Sequence, residues 1–255
     1  CFINFKIKLK MKNIIGLIPS RLGSNRLTKK ALLDIDGLPM VVHTAKRAQL
    51  SKKLKRVIVC TDSNSIGKEC DKHNIEWFIT SKSHNNGTER IAEVANKIKS
   101  DLIVDIQGDE PFIDPDHIDQ LINFHLRNQH FQIVVPYLKT KFSENRNIVK
   151  LVSNKNNKIL YFSRSQVPFN FYGKNILMKK HLSIISFQPR SLIKFKKLKQ
   201  SELEKLENIE LMRAIENGMK LGTFELKGSS FAIDVKEDFL KALILMPKDK
   251  IRKKY

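Results

Sequence analysis

The chain has 255 residues, 41% of them hydrophobic, enough for one large α/β domain with a substantial core. Its 47 basic and 26 acidic residues give a net charge of +21, but Lys is spread along the whole chain and no basic stripe is interleaved with aromatics, which argues against a nucleic-acid partner. No apolar run approaches the ~20 residues of a membrane span, and Cys1, Cys60 and Cys70 show neither CxxC spacing nor a His at zinc-ligand distance, which points to a reducing cytoplasm without disulfides, structural zinc or membrane insertion.

Residues 1–10 alternate apolar and basic side chains without a signal-peptide core, and Met11 stands directly before the first strand pattern. Residues 1–11 are therefore expected to be a non-native or disordered extension, 12–247 a single domain, and 248–255 a frayed basic tail. Ile14-Ile15-Gly16-Leu17-Ile18 predicts a strand covered on both faces, as in a parallel sheet. It runs into Ser20-Arg21-Leu22-Gly23-Ser24-Asn25-Arg26, a loop with room for close backbone approach at Gly23 and with two guanidinium forks. Lys29 and Lys30 follow as point charges. Such a loop at the carboxyl end of a strand suits a phosphate, the alternative being a surface turn with solvated cations.

Pro39 to Leu50 has helical spacing, Arg56 to Asp62 reads as a second buried strand, Asn64 to His73 as a helix and Trp77 to Thr80 as a short strand. Glu89 to Lys99 is expected to be helical, and Asp101 to Gln107 a strand. This alternation predicts an α/β fold with a mostly parallel central sheet. From about 132 to 186 the pattern changes: Ile133 to Leu138, Ile148 to Ser153 and Lys158 to Phe162 look like antiparallel strands joined by turns. Glu202 to Gly218 is expected to be one amphipathic helix, Leu221 to Leu226 a last strand, and a helix starts at Lys236.

Each polar cluster in the first half follows a strand. Gln107-Gly108-Asp109-Glu110-Pro111 places carboxylates on a glycine turn opposite the cationic loop. Mg²⁺ needs only one or two carboxylates beside phosphate oxygens and water, so Asp109 with Asp234 as partner is a candidate metal pair; the alternative is an ordinary helix-start turn. His84 to Arg90 is a glycine turn entering a helix, where Arg90 could reach a nucleotide or Asn86 or Thr88 simply cap the helix. Arg164 could meet a substrate carboxylate or pair with Glu210, and His181 could bond a sugar hydroxyl or lie on the surface.

Taken together these segments resemble the 3-deoxy-manno-octulosonate (Kdo) cytidylyltransferases, the CMP-Kdo synthetases. Ile18 to Leu27 resembles the family's Ile-Pro-Ala-Arg opening, Gly37-Leu38-Pro39-Met40 its Gly-x-Pro-Met, and Cys60-Thr61-Asp62 its Ala-Thr-Asp strand end. His84 to Arg90 resembles its His-x-Ser-Gly-Thr-Glu-Arg loop, and Gln107 to Pro111 repeats its Gln-Gly-Asp-Glu-Pro. Tyr161-Phe162-Ser163-Arg164, the segment Leu206 to Arg213 and Ile233-Asp234-Val235 follow in register.

The resemblance implies a nucleotide-diphospho-sugar-transferase-like Rossmann-type domain whose antiparallel insertion makes a homodimer. It implies transfer of CMP from CTP to the anomeric hydroxyl of Kdo with release of pyrophosphate, dependent on Mg²⁺, in lipopolysaccharide synthesis. Arg21, Ser24, Lys30, Arg90 and Gln107 would hold the nucleotide, with Arg21, Lys30 and Asp109 catalytic and Asp109 and Asp234 on the metal. Gln107, Arg164, His181 and Glu210 would hold the sugar acid. The sequence departs from the family at Thr28-Lys29-Lys30-Ala31, where Pro-Gly-Lys-Pro is expected, and at Asn86, where a serine is expected. His181 to Phe187 keeps the histidine of His-x-Gly-x-Tyr but has Ser183 and Ile185 in place of the glycine and tyrosine, which leaves open an amino-substituted Kdo, another nonulosonic acid or a binding-only protein.

Overall fold

A computed structural model of the chain describes residues 12–23, 27–141, 143, 145–173 and 177–255. The expectations for residues 1–11, for Ser24 and for Arg26 lie outside the described residues.

The first strand, β1 (Ile14–Ser20), is buried along its whole length. A short hairpin, β2 (Asp34–Ile35) and β3 (Leu38–Pro39), leads into α1 (Met40–Gln49). β4 (Arg56–Thr61), α2 (Asn64–Lys72), β5 (Glu76–Ile79), α3 (Gly87–Ala95), β6 (Leu102–Ile106) and α4 (Pro115–Arg127) complete the alternating half. β7 (Ile133–Val134), β8 (Tyr137–Thr140), β9 (Lys150–Ser153), β10 (Ile159–Ser163), β11 (Met178–His181) and β12 (Ile184–Phe187) follow. α5 (Pro189–Lys197), α6 (Glu202–Glu207), α7 (Met212–Glu216), β13 (Leu221–Gly222), β14 (Glu225–Leu226) and α8 (Lys236–Leu245) close the fold.

The central sheet has seven strands in the order β13-β7-β12-β6-β1-β4-β5. All neighbours are parallel except β12, which runs against both β6 and β7. The period of two in β1 feeds two cores: Ile14 and Ile18 pack with α1, α2 and α4, whereas Ile15 and Leu17 pack with α3, α5 and α7. Apolar helices therefore cover both faces, and the polar strand ends emerge together at one edge.

A second sheet, ordered β10-β9-β11-β8-β14, is antiparallel except where β14 joins β8. The expected strand 133–138 splits between the two sheets, because Pro136 cannot donate to a ladder and the chain steps across it. The expected strand 221–226 splits likewise, with Thr223 giving its hydroxyl to Val135 O and its amide to Asn157 O between the two pieces.

Two more expectations are corrected. Glu202 to Gly218 is not one helix: α6 opens with a Ser201–Glu204 capping box and stops at Asn208, a left-handed residue (φ 52°), before α7 begins. The basic tail is not frayed. Arg252 donates to Asp36, the Tyr255 hydroxyl is 2.9 Å from His43 Nδ1, and Asp249 pairs with the buried Arg47.

Candidate active site

The carboxyl ends of β1 and β6 and the N-terminus of α3 surround a cavity of about 590 Å³, lined among others by Arg21, Gly23, Lys30, His84, Arg90, Gln107 and Asp109. The loop after β1 thus meets the Gln107–Pro111 turn, the His84–Arg90 turn and, through Ile233 and Asp234, the segment before α8. Gly108 makes this approach possible, since a Cβ there would lie 2.9 Å from Pro19 O. The Ile233 amide donates to Asp109 O at 2.9 Å, which ties the two acidic segments together.

Lys30 Nζ sits 2.7 Å from Asp109 Oδ2, 3.0 Å from Ile233 O and 3.9 Å from Asp234 Oδ1. Two carboxylates and a carbonyl thus converge on one cationic atom. Among the described residues no group of three or more His, Cys, Asp and Glu gathers as a metal centre. A two-carboxylate set already holding a cation nevertheless fits Mg²⁺, which takes its remaining oxygens from phosphate and water.

Arg90 lines the cavity, but its guanidinium is engaged: Nη2 donates to Asp62 Oδ2 at 2.8 Å and Nη1 to Thr80 Oγ1 at 2.6 Å. Asp62 also accepts from the Leu22 amide at 3.4 Å, so the pair braces the loop after β1 against β4 and α3. Sequence reasoning gave Asp62 no role, although its place directly after a buried strand was the available signal. Asn86 is the cap of α3, accepting from Glu89 N at 2.8 Å.

A second cavity, about 230 Å³, adjoins the first; Gln107 and Asn208 line both. It also brings together Arg164, His181, Ser183, Ile185 and Glu210, so the four expected sugar-acid residues share one space and both departures, Ser183 and Ile185, lie in its wall. Arg164 does not pair with Glu210. Its Nε, Nη1 and Nη2 donate to the carbonyls of Glu207, Arg146 and Asn208 at 2.8, 2.8 and 3.0 Å, while Glu207 Oε2 accepts from the Arg164 amide at 2.8 Å. Each terminal nitrogen retains a further N–H.

His181 packs edge-on to Phe162, and burial first, then Lys180 and Arg164, push its imidazole down to about 4, so it is neutral near pH 7. Thr88 Oγ1 donates to Glu210 Oε1 at 2.5 Å, and Glu210 Oε2 is buried without a partner among the described residues. Burial pushes the Glu210 carboxyl up to about 7. Behind this wall Asp105 is fully buried, and burial together with nearby Glu210 raises its carboxyl well above the usual range. Glu110, beside Asp109, is also buried and pushed up to about 7 by that burial. The arrangement is a cavity edged by Arg21 and Lys30 joined to a smaller pocket with an arginine, a neutral imidazole and the buried Glu210 carboxyl.

Comparisons with known proteins point the same way. A family model described as Cytidylyltransferase matches residues 15–221. A 3-deoxy-manno-octulosonate cytidylyltransferase of Chlorobium phaeobacteroides is 38% identical over 232 residues, covering 88% of this chain and 93% of that protein. One from Trichlorobacter lovleyi is 35% identical over 243 residues, covering 90% of this chain and 96% of that protein. A solved structure of CMP:2-keto-3-deoxy-manno-octonic acid synthetase complexed with CTP superposes with a TM-score of 0.88 at 29% identity, covering 92% of this chain and 99% of its own. The mixed sheet with its mostly parallel centre and the near-complete length of these matches agree: the chain belongs to the cytidylyltransferase family, among the 3-deoxy-manno-octulosonate cytidylyltransferases.

Proposed function

We propose that this protein transfers CMP from CTP to the anomeric hydroxyl of 3-deoxy-manno-octulosonate, as its relatives' name describes, forming CMP-Kdo and releasing pyrophosphate for lipopolysaccharide synthesis. The observation that carries this reading is the joining of two cavities at Gln107, one edged by Arg21 and Lys30 and the other by Arg164 and His181. The triphosphate enters the first. Arg21 and Lys30 neutralise it and stabilise the charge that gathers on the departing pyrophosphate, the kind of electrostatic work that dominates phosphoryl transfer. Arg90, fixed by Asp62 and Thr80, keeps the loop and the start of α3 in place around the nucleotide.

The sugar acid enters the second cavity. Arg164 offers its remaining N–H pair to the carboxylate, and neutral His181, Gln107 and Glu210 meet the hydroxyls. Asp109 and Asp234 would hold Mg²⁺ on the phosphates, where such an ion polarises phosphoryl oxygens and favours ionisation of a hydroxyl beside it.

We assign the five-stranded sheet to a homodimer contact. The loop beyond β10 supports this, because Phe169, Phe171 and Tyr172 are about four-fifths exposed there. The buried free thiols Cys60 and Cys70 accord with a cytoplasmic reaction.

A second reading is CMP transfer to a different sugar acid, favoured by the placement of Ser183 and Ile185 in the pocket wall. One experiment separates the two: pyrophosphate release with Mg²⁺ and CTP, with Kdo and with 8-amino-Kdo, and with UTP and ATP as controls. Release that needs both CTP and Kdo supports the first reading. Release with the amino sugar alone supports the second, and CTP binding without release under any acceptor overturns both in favour of a binding-only protein.

A further inference from the structure

Asp105 is the fully buried carboxyl of β6 for which the reaction described above has no use. It lies two residues before Gln107, on the same face of the strand. Gln107 Nε2 is 3.1 Å from Asp105 Oδ1 and 3.1 Å from Oδ2. An ionised Asp105 offers two acceptors and a protonated one keeps its carbonyl oxygen, so the amide nitrogen of Gln107 has an acceptor in either state. In this structure the amide nitrogen is the end turned inward. On its other side the nitrogen lies beside Gly87, where a Cβ would stand 3.7 Å from it and 3.0 Å from Pro19 Cγ. Gln107 forms part of the wall of both cavities, so its carbonyl oxygen is the end left to face bound substrates.

We infer that Asp105 is a positioning residue that fixes Gln107 as a hydrogen-bond acceptor at the junction of the two cavities. Glu210 also lines the smaller cavity, and Thr88 donates to its Oε1. The Gln107 part of the wall is thereby set for groups that donate, hydroxyls or an amine of the sugar acid, while Arg164, in the same cavity, donates to its carboxylate. The specification comes from a side chain that touches neither substrate.

The inference rests on the two-substrate reading, and its test keeps the two apart. The first arm is independent of turnover: the side-chain amide proton signals of Gln107, assigned by their loss in Gln107→Met, should move in Asp105→Leu and return toward their original position in Asp105→Asn, which keeps one carbonyl acceptor. Signals that stay in place in Asp105→Leu overturn the inference whether or not Kdo is a substrate.

The second arm reads kinetics with CTP and Kdo, or with whichever acid supports release. Asp105→Leu should lower kcat/KM for the sugar acid about tenfold, with the KM for CTP within about twofold, and should cost nothing further in a Gln107→Met background. Gln107→Glu, which sets a second carboxyl against Asp105, should be impaired, and adding Asp105→Asn should restore it by exchanging donor and acceptor. A full loss from Asp105→Leu on top of Gln107→Met, or no restoration of Gln107→Glu, assigns Asp105 to the fold alone. Where Asp105→Leu does not fold, the exchange pair decides: restoration supports the positioning role, and its failure overturns it.

Discussion

Lys30 Nζ and Asp109 Oδ2 meet at 2.7 Å across 79 positions of sequence, and Asp234 Oδ1 stands 3.9 Å from the same nitrogen. Three segments from the beginning, middle and end of the chain are thus gathered at one charged point.

Asp109→Ala removes the centre of that gathering. Turnover is expected to fall by at least about 100-fold, the usual effect of deleting one electrostatic contributor to a transition state. The pair is partly exposed, so the melting temperature should change little. Pyrophosphate release alongside a thermal melt checks both, and an active variant would remove Asp109 from the chemistry.

Gly108→Ala tests the close approach. The new Cβ would press on Pro19 O, a backbone atom that cannot swing aside. A stability loss of about 1–3 kcal/mol is expected from such overpacking, with a turnover loss of about 100-fold from displacement of Asp109. Urea unfolding and the release assay measure the two effects separately.

Arg164→Ala should weaken the sugar acid by about 10- to 100-fold, the range for a hydrogen bond to a charged group, with the KM for CTP nearly unmoved. The carbonyls of Arg146, Glu207 and Asn208 lose their donor at the same time, so the end of α6 should exchange its amide protons faster. A CTP effect larger than the sugar effect would place Arg164 with the nucleotide.

His125 supplies a pH dependence remote from the site. Its ring nitrogens lie 2.6 Å from Ser186 Oγ and 3.1 Å from Phe131 O, and burial lowers its pKa from 6.5 to about 4. The unfolded chain therefore binds a proton that the folded one refuses. The stability contribution is complete above pH 6.5 and is lost as pH falls toward 4, to a total of about 3 kcal/mol. Urea unfolding at pH 7.5 and 5 should show a smaller drop for His125→Leu than for the parent chain; equal drops would assign the acid sensitivity to other groups.

The alternation of β1, β4 and β6 with helices, and so the mostly parallel sheet, was legible because apolar runs ended in polar clusters at each carboxyl end, and the same clusters marked Lys30, Asp109 and Gln107. Other features left no periodic trace. Leu206 fitted the apolar stripe of a continuous helix, yet it is 80% exposed, because the left-handed turn at Asn208 rotates the next segment out of register. Asp105 read as one polar residue in a buried strand, and its partner, two residues on, becomes visible only when both side chains share a face. In the tail, Arg252 and Tyr255 gain their partners from Asp36 and His43, more than 200 residues away, so local charge density suggested solvent where the fold supplies contacts.

β7 and β12 lie side by side, with Val134 opposite Ser186 and Ile133 opposite Phe187. The chain thus leaves the central sheet for most of the second one and returns to it through adjacent doorposts. Everything strung between them, including Arg164 and His181, can lengthen, shorten or change composition while the threshold stays the same width. The residues Ser183 and Ile185 stand at that returning post.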